Sequence, residues 1–155
     1  MVMATIGSLL YKRLESLRKF SEHPTCGNVS IDSSYLECIG ILDIGRINQL
    51  LRMNLRSGKV FAHNGVVEHI HSHHGLVFSM HQDSISRFIE RPFYVGRNPR
   101  ESESIELYDK HNQVLTAIKR DPTRGYLFLA SMYVLEDWET KIHDRLQCRR
   151  VRKFT

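Results

Sequence analysis

The spacing of apolar positions along this chain changes character part of the way through. From Ala4 to Ser21, Ile6, Leu9, Leu10, Leu14 and Leu17 recur every three or four residues, which predicts an amphipathic helix. The stretch EHPTCGN breaks it through Pro24 and Gly27. YLECIGIL (35–42) has the unbroken apolar texture of a buried strand. Asp43 is placed to cap a helix through INQLLRMNLR, with Ile47, Leu50, Leu51 and Leu55 on one face. A short strand, Lys59 to Ala62, should then end before the Asn64-Gly65 turn signal.

VVEHIHSHH predicts a short helix, Gly75–Met80 a loop, and Gln82 to Glu90 a further helix stopped by Arg91-Pro92. Beyond it the period switches to that of strands. FYVGR, SIELYD, VLTAIKR and YLFLASMYV are separated by the turn-rich RNPRESE, KHNQ and DPTRG, the pattern of an antiparallel meander. Glu136 to Leu146 reads as a closing helix. Helices first and a sheet second give the α+β class, with a sheet of about four to five antiparallel strands. Neither an internal repeat nor a linker interrupts the chain, so residues 1–155 are expected to form one domain.

Composition narrows the function classes. With 41% hydrophobic and 25% charged residues the chain can build an ordinary core, which argues against disorder. It has no apolar run near the ~18 residues that span a bilayer, and its first twenty residues lack the layout of a signal peptide. A cytoplasmic protein with no membrane partner is expected. Cys26, Cys38 and Cys148 are odd in number and form no C-x-x-C pair, which suits reduced thiols. The net charge of +5 is concentrated in RLQCRRVRKFT, where Arg145, Arg149, Arg150, Arg152 and Lys153 occur without an acid. Such a segment is either a solvated tail or a contact for a phosphate backbone.

Five of the nine histidines lie within VEHIHSHHGLVFSMHQD. Three readings compete: a metal site, acid–base groups, or a His-rich solvent face. HSHHGLVFSMHQD superficially resembles the JAMM-type zinc isopeptidases, with His71, His73, Ser79 and Asp83 at the motif positions and Glu37 as the nearest candidate base. The spacing departs from that motif, and zinc needs its ligands to converge at about 2.0–2.1 Å.

A second resemblance covers much more of the chain. ILDIGRINQLL, VEHIHSHHG, ISRFIERPFYVGRNPRESESIELYD and VLTAIKR…YLFLASMYVLEDWETKIHDRL together, in that order, resemble the phage-type branch of the barnase–EndoU–colicin–RelE-like nuclease superfamily. The resemblance runs over about residues 36–153, leaving 1–35 as an N-terminal helical extension. It implies a metal-independent endoribonuclease without cofactors, built on an antiparallel sheet. It also implies that the protein cleaves RNA by transesterification to a 2′,3′-cyclic phosphate.

By position, the resemblance carries catalytic roles to His69, His74, Lys119, Ser131 and Tyr133, where Ser131 replaces the threonine more usual in the family. Arg120, Arg145 and Arg149 or Arg150 take the nucleic-acid contacts. RNA, tRNA among the candidates, is the implied partner. A toxin role for a phage or mobile element would add a proteinaceous inhibitor or antitoxin.

The chemistry is consistent with those residue types. Metal-free cleavage needs a base for the 2′-OH, an acid for the leaving 5′-oxygen, and cations on the phosphorane. Imidazole titrates near pH 6.5 and can serve as either base or acid. Ser131 and Tyr133, two apart on a strand, share one face of the sheet. The alternative is an inactive RNA- or protein-binding module on the same fold.

Overall fold

The computed structural model describes residues 37–62 and 84–154. The helix expected over Ala4–Ser21, the histidine segment and the start of the Gln82–Glu90 helix lie outside the described residues.

The first described unit is a strand–helix–strand turn. β1 (Glu37–Ile41) pairs antiparallel with β2 (Lys59–Ala62), with a register break between Cys38 and Gly40. Between them runs α1 (Ile44–Leu51), which Asp43 caps by accepting from the Arg46 amide at 3.0 Å. This is the cap expected from sequence. The helix stops earlier than its apolar periodicity suggested, because Arg52 turns left-handed (φ 53°). The Asn48 side chain then holds Leu55, donating to its carbonyl at 3.0 Å and accepting from its amide at 2.8 Å. Leu55 is thus buried without another helical turn.

α2 (Ile85–Glu90) buries Ile85, Phe88 and Ile89. It lies so close to β1 that a Cβ on Gly40 would meet Ile89 at 3.1 Å. Pro92 follows, and its neighbour Arg91 leaves the helical region, as the X-Pro rule requires.

The meander is present as β3 (Tyr94–Arg97), β4 (Ser104–Asp109), β5 (Val114–Arg120) and β6 (Leu127–Val134), each antiparallel to the next. Its turns close on side chains. Asp109 accepts from the Asn112 amide at 2.8 Å, and Asp121 accepts from those of Thr123 and Arg124 at 2.9 and 2.7 Å. α3 (Trp138–Gln147) is the closing helix, and β7 (Val151–Lys153) returns antiparallel to β3.

The sheet is larger than the four to five antiparallel strands expected, and it is mixed. Seven described strands run in the order β1-β2-β6-β5-β4-β3-β7, and β2 pairs with β6 in parallel. β7 escaped notice because VRK is three residues long and two of them are exposed cations, indistinguishable from a basic tail. β2 escaped assignment to this sheet because its partner lies far along the chain.

Register divides the sheet into two faces. Val95, Ile105, Leu107, Ile118, Leu129 and Met132 join the main core, which α1 and α2 cover. On the other face α3 covers one end, setting Trp138 and Ile142 against Tyr108, Leu115 and Val151. All six β4 residues are buried, since this strand is covered on both sides. No described helix is long and apolar enough to cross a membrane.

Candidate active site

SIELYD alternates strictly. Ile105 and Leu107 point into the main core, so Ser104, Glu106 and Tyr108 must point to the α3 face. Pairing then lines up Gly96, Glu106, Ala117 and Ser131 across β3, β4, β5 and β6, all on one face. The neighbouring row is Tyr94, Tyr108, Leu115 and Tyr133, and Lys119 pairs with Ser104 on its other side. At a strand spacing of about 4.8 Å, Glu106 and Ser131 are separated by roughly 10 Å across the small Ala117.

A bulge on β6 makes this possible. Ala117 pairs with Ser131 but Ile118 pairs with Leu129, so Ala130 is an extra residue. Without it, the parity that puts Ser131 and Tyr133 on the open face would also turn Leu127 and Leu129 out of the core. Instead Phe128 takes the open face opposite Lys119. There it stands in a half-buried edge-to-face series with Tyr126 and Phe61, centroids 6.2 and 5.9 Å apart.

Glu106 is the centre of the charged network. Its residue is 4% exposed, and it receives Arg150 through two bonds, Nη2 to Oε1 at 2.5 Å and Nε to Oε2 at 3.2 Å. The Tyr108 hydroxyl donates to Oε2 at 2.6 Å and accepts from Arg145 Nη1 at 2.8 Å. Arg145 also lies over the Tyr108 ring.

Gly96 gives Arg150 its room. A Cβ there would come within 2.8 Å of the Arg150 carbonyl and 3.5 Å of Glu106 Oε2. Burial, followed by the Glu106 charge, pushes the Tyr108 phenol well up. The same two causes, in the same order, raise Tyr133, while Arg145 and Arg150 pull it down. Tyr133 therefore feels the whole network from the next strand but one.

The structure brings five of the expected residues to this face: Lys119, Ser131, Tyr133, Arg145 and Arg150. Lys119 is ion-paired with Glu101 at 2.8 Å on a part-exposed edge. Between the two alternative arginines, it is Arg150 that reaches the network; Arg149 is exposed with φ 59°. Arg120 alternates to the other face. There it is clamped by both oxygens of Glu103, and this bond holds the Glu103 carboxyl below its usual range. His69 and His74 lie outside the described residues, as do His71, His73, Ser79 and Asp83.

Glu106, Tyr108 and Gly96 were not read as site residues from sequence. The available signal was Glu106 itself, a carboxylate set between the apolar Ile105 and Leu107, where burial demands a cationic partner. The network amounts to a buried carboxylate that holds a guanidinium, with hydroxyls and an ammonium beside it. It can bind and polarise an oxyanion. A donor and a cation at such a place suit an electrophilic centre that gains negative charge.

Comparison with known proteins gives a family match. The model described as phage-Barnase-EndoU-ColicinE5/D-RelE like nuclease3 matches residues 39–143. No curated protein and no solved structure matches the chain.

Proposed function

Because the chain belongs to this phage-Barnase-EndoU-ColicinE5/D-RelE like nuclease family, we propose that it is an endoribonuclease that cleaves RNA without a metal ion. The family is a nuclease one, so the zinc isopeptidase expectation on His71, His73 and Asp83 is not carried further.

The observation that carries the reading is the convergence of Lys119, Ser131, Tyr133, Arg145 and the Glu106–Arg150 pair on one sheet face. In the proposed reaction a base takes the 2′-OH proton, the 2′-oxygen attacks phosphorus, and an acid protonates the departing 5′-oxygen. The products are a 2′,3′-cyclic phosphate and a 5′-hydroxyl end. His69 and His74 share the base and acid duties.

Arg150 neutralises the phosphorane. Glu106 occupies two of its five donors and leaves the rest to the phosphate. Glu106 is thus a positioning residue. Lys119 adds a second cation. Tyr133, kept protonated by its raised pKa, donates with Ser131 to orient the non-bridging oxygens. Arg149 and Arg120 contact flanking nucleic acid. A toxin role for a phage or mobile element, in the cytoplasm and with a proteinaceous inhibitor, belongs to the same proposal.

One observation favours a second reading, a binding module without catalysis. Arg145 and Arg150 are both already bonded internally. Incubation of the purified protein with total RNA in excess EDTA separates the two. Cleavage with cyclic phosphate ends, lost in His69→Ala, supports the nuclease; RNA retention without product supports the module.

A further inference from the structure

Arg150 has a second neighbourhood besides Glu106, as it is one of the residues lining a separate cavity of about 610 Å³ at the β3–β7 edge. Arg52, Arg97, Arg149 and Arg152 line it too, over a floor that includes Leu51 and Cys148. Five arginines, and no acidic residue among the described ones, line this space.

These arginines come from separate elements. Arg52 ends α1 and Arg149 ends the turn after α3, both left-handed (φ 53° and 59°). Arg97 and Arg152 lie on β3 and β7, and both point away from Glu106. Arg97 is fixed by donating to the Ser102 carbonyl at 2.7 Å and to the Leu51 carbonyl at 3.4 Å. Arg52, Arg149 and Arg152 are exposed, and no described carboxylate pairs with them.

Like charges gathered in this way repel one another, and an anion relieves the repulsion. The planar guanidinium fork matches phosphate oxygens two at a time. Continuity decides which anion. Arg150 belongs both to the proposed scissile site and to the cavity, so a strand bound at Glu106–Arg150 reaches the arginine groove by turning around the β7 edge.

We infer that the groove holds the phosphodiester backbone of the RNA strand beyond the scissile phosphate. This rests on the ribonuclease reading for the identity of the strand. It makes the protein a binder of extended single strands, with affinity that grows with length. Arg52 and Arg97 become binding residues that the sequence did not single out, and they join Arg152 of the basic C-terminal segment.

The test is fluorescence anisotropy with 2′-O-methyl RNA, whose blocked nucleophile prevents cleavage. A trimer and a dodecamer are titrated at several salt concentrations into the intact chain and into the double variant Arg52→Asn/Arg152→Gln. Asn suits the left-handed position. The variant should lose about tenfold in affinity for the dodecamer. Its slope of log K against log salt should fall by about 1.4, the loss of two phosphate contacts on a single strand. The trimer should change less than twofold. The single variant Arg152→Lys, which keeps the charge, should keep the salt slope of the intact chain.

Unchanged dodecamer affinity and slope in the double variant would overturn the proposal. So would loss of polyglutamate binding with RNA binding intact, since the groove would then serve an acidic protein partner. The two readings can fail separately. Groove-dependent binding with no cleavage of ordinary RNA removes the ribonuclease alone. Cleavage whose length dependence is untouched in the variant removes the groove alone.

Discussion

Glu106 and Arg150 meet through two hydrogen bonds on the open face of the sheet, the carboxylate from its fourth strand and the guanidinium from the turn before its seventh. Neither residue is near the other in sequence, and each meets the need of the other. Glu106 is nearly buried and requires a cation; Arg150 is long and flexible and requires an anchor.

Removal of one partner should therefore be costly. Arg150→Ala leaves a buried carboxylate with only the Tyr108 hydroxyl and should destabilise the fold by about 3 kcal/mol in urea unfolding. Replacement of both, as Glu106→Leu/Arg150→Met, should recover most of that loss, because two buried charges are removed together. RNA cleavage should stay absent in both proteins. A double variant as unstable as the single would show that the pair is not the source of the cost.

Gly96 should be intolerant of a side chain for the same reason. Gly96→Ala drives a Cβ into the Arg150 carbonyl and should cost about 1–3 kcal/mol while lowering cleavage. Gly125→Ala is the informative comparison. Its added methyl meets open space, so only the φ of 76° is strained, at about 1–2 kcal/mol, and cleavage should be unaffected. Melting temperatures and initial rates of the two variants would show whether the Gly96 effect is local to the site.

The tyrosines set the alkaline limit. An unfolded tyrosine titrates near 10, whereas burial and the Glu106 charge raise both Tyr108 and Tyr133 in the fold. Above that pH the unfolded chain loses protons that the folded chain keeps, so stability falls as pH rises. Below it, this contribution is fully present. Absorbance at 295 nm should show Tyr108 ionising only with unfolding and Tyr133 ionising above the ordinary tyrosine range, and Tyr108→Phe should flatten the decline of stability above pH 10. Ionisation of both in the folded protein at pH 10 would refute the assignment.

On the other face, the Thr116 hydroxyl is fully buried and finds no hydrogen-bond partner among the described residues. Thr116→Val keeps the shape and removes the unmet polar atom, and it should stabilise the protein by about 1 kcal/mol. Thermal unfolding checks this, and the cleavage rate should be unchanged because the residue points into the main core.

Local pattern made much of the fold legible. The four meander strands, the Asp43 cap and the Pro92 stop follow from alternation and from residues that act within a few positions. What stayed hidden depends on distant partners. The parallel β2–β6 pair and the addition of β7 leave no periodic trace, and the bulge at Ala130 is a local break in alternation that only pairing reveals. The site divides in the same way. Lys119, Ser131 and Tyr133 carry polar groups on a strand that can be read from sequence. Glu106 resembled an ordinary strand acid until the approach of Arg150 showed otherwise.

The edge position of β7 bears on the order in which the protein acquires its chemistry. β4, β5 and β6 close through short turns, so their pairing needs little loss of chain entropy and should form early. β7 pairs with β3 from far along the chain, so it should join late, and it brings Arg150 with it. The sheet would then carry Glu106 and Lys119 but lack the Arg150 guanidinium until β7 joins, and on the proposed mechanism a partly folded chain would be harmless to RNA. Pulsed hydrogen exchange during refolding should protect the amides of β5 before those of β7, with oxyanion binding appearing only in the slower step.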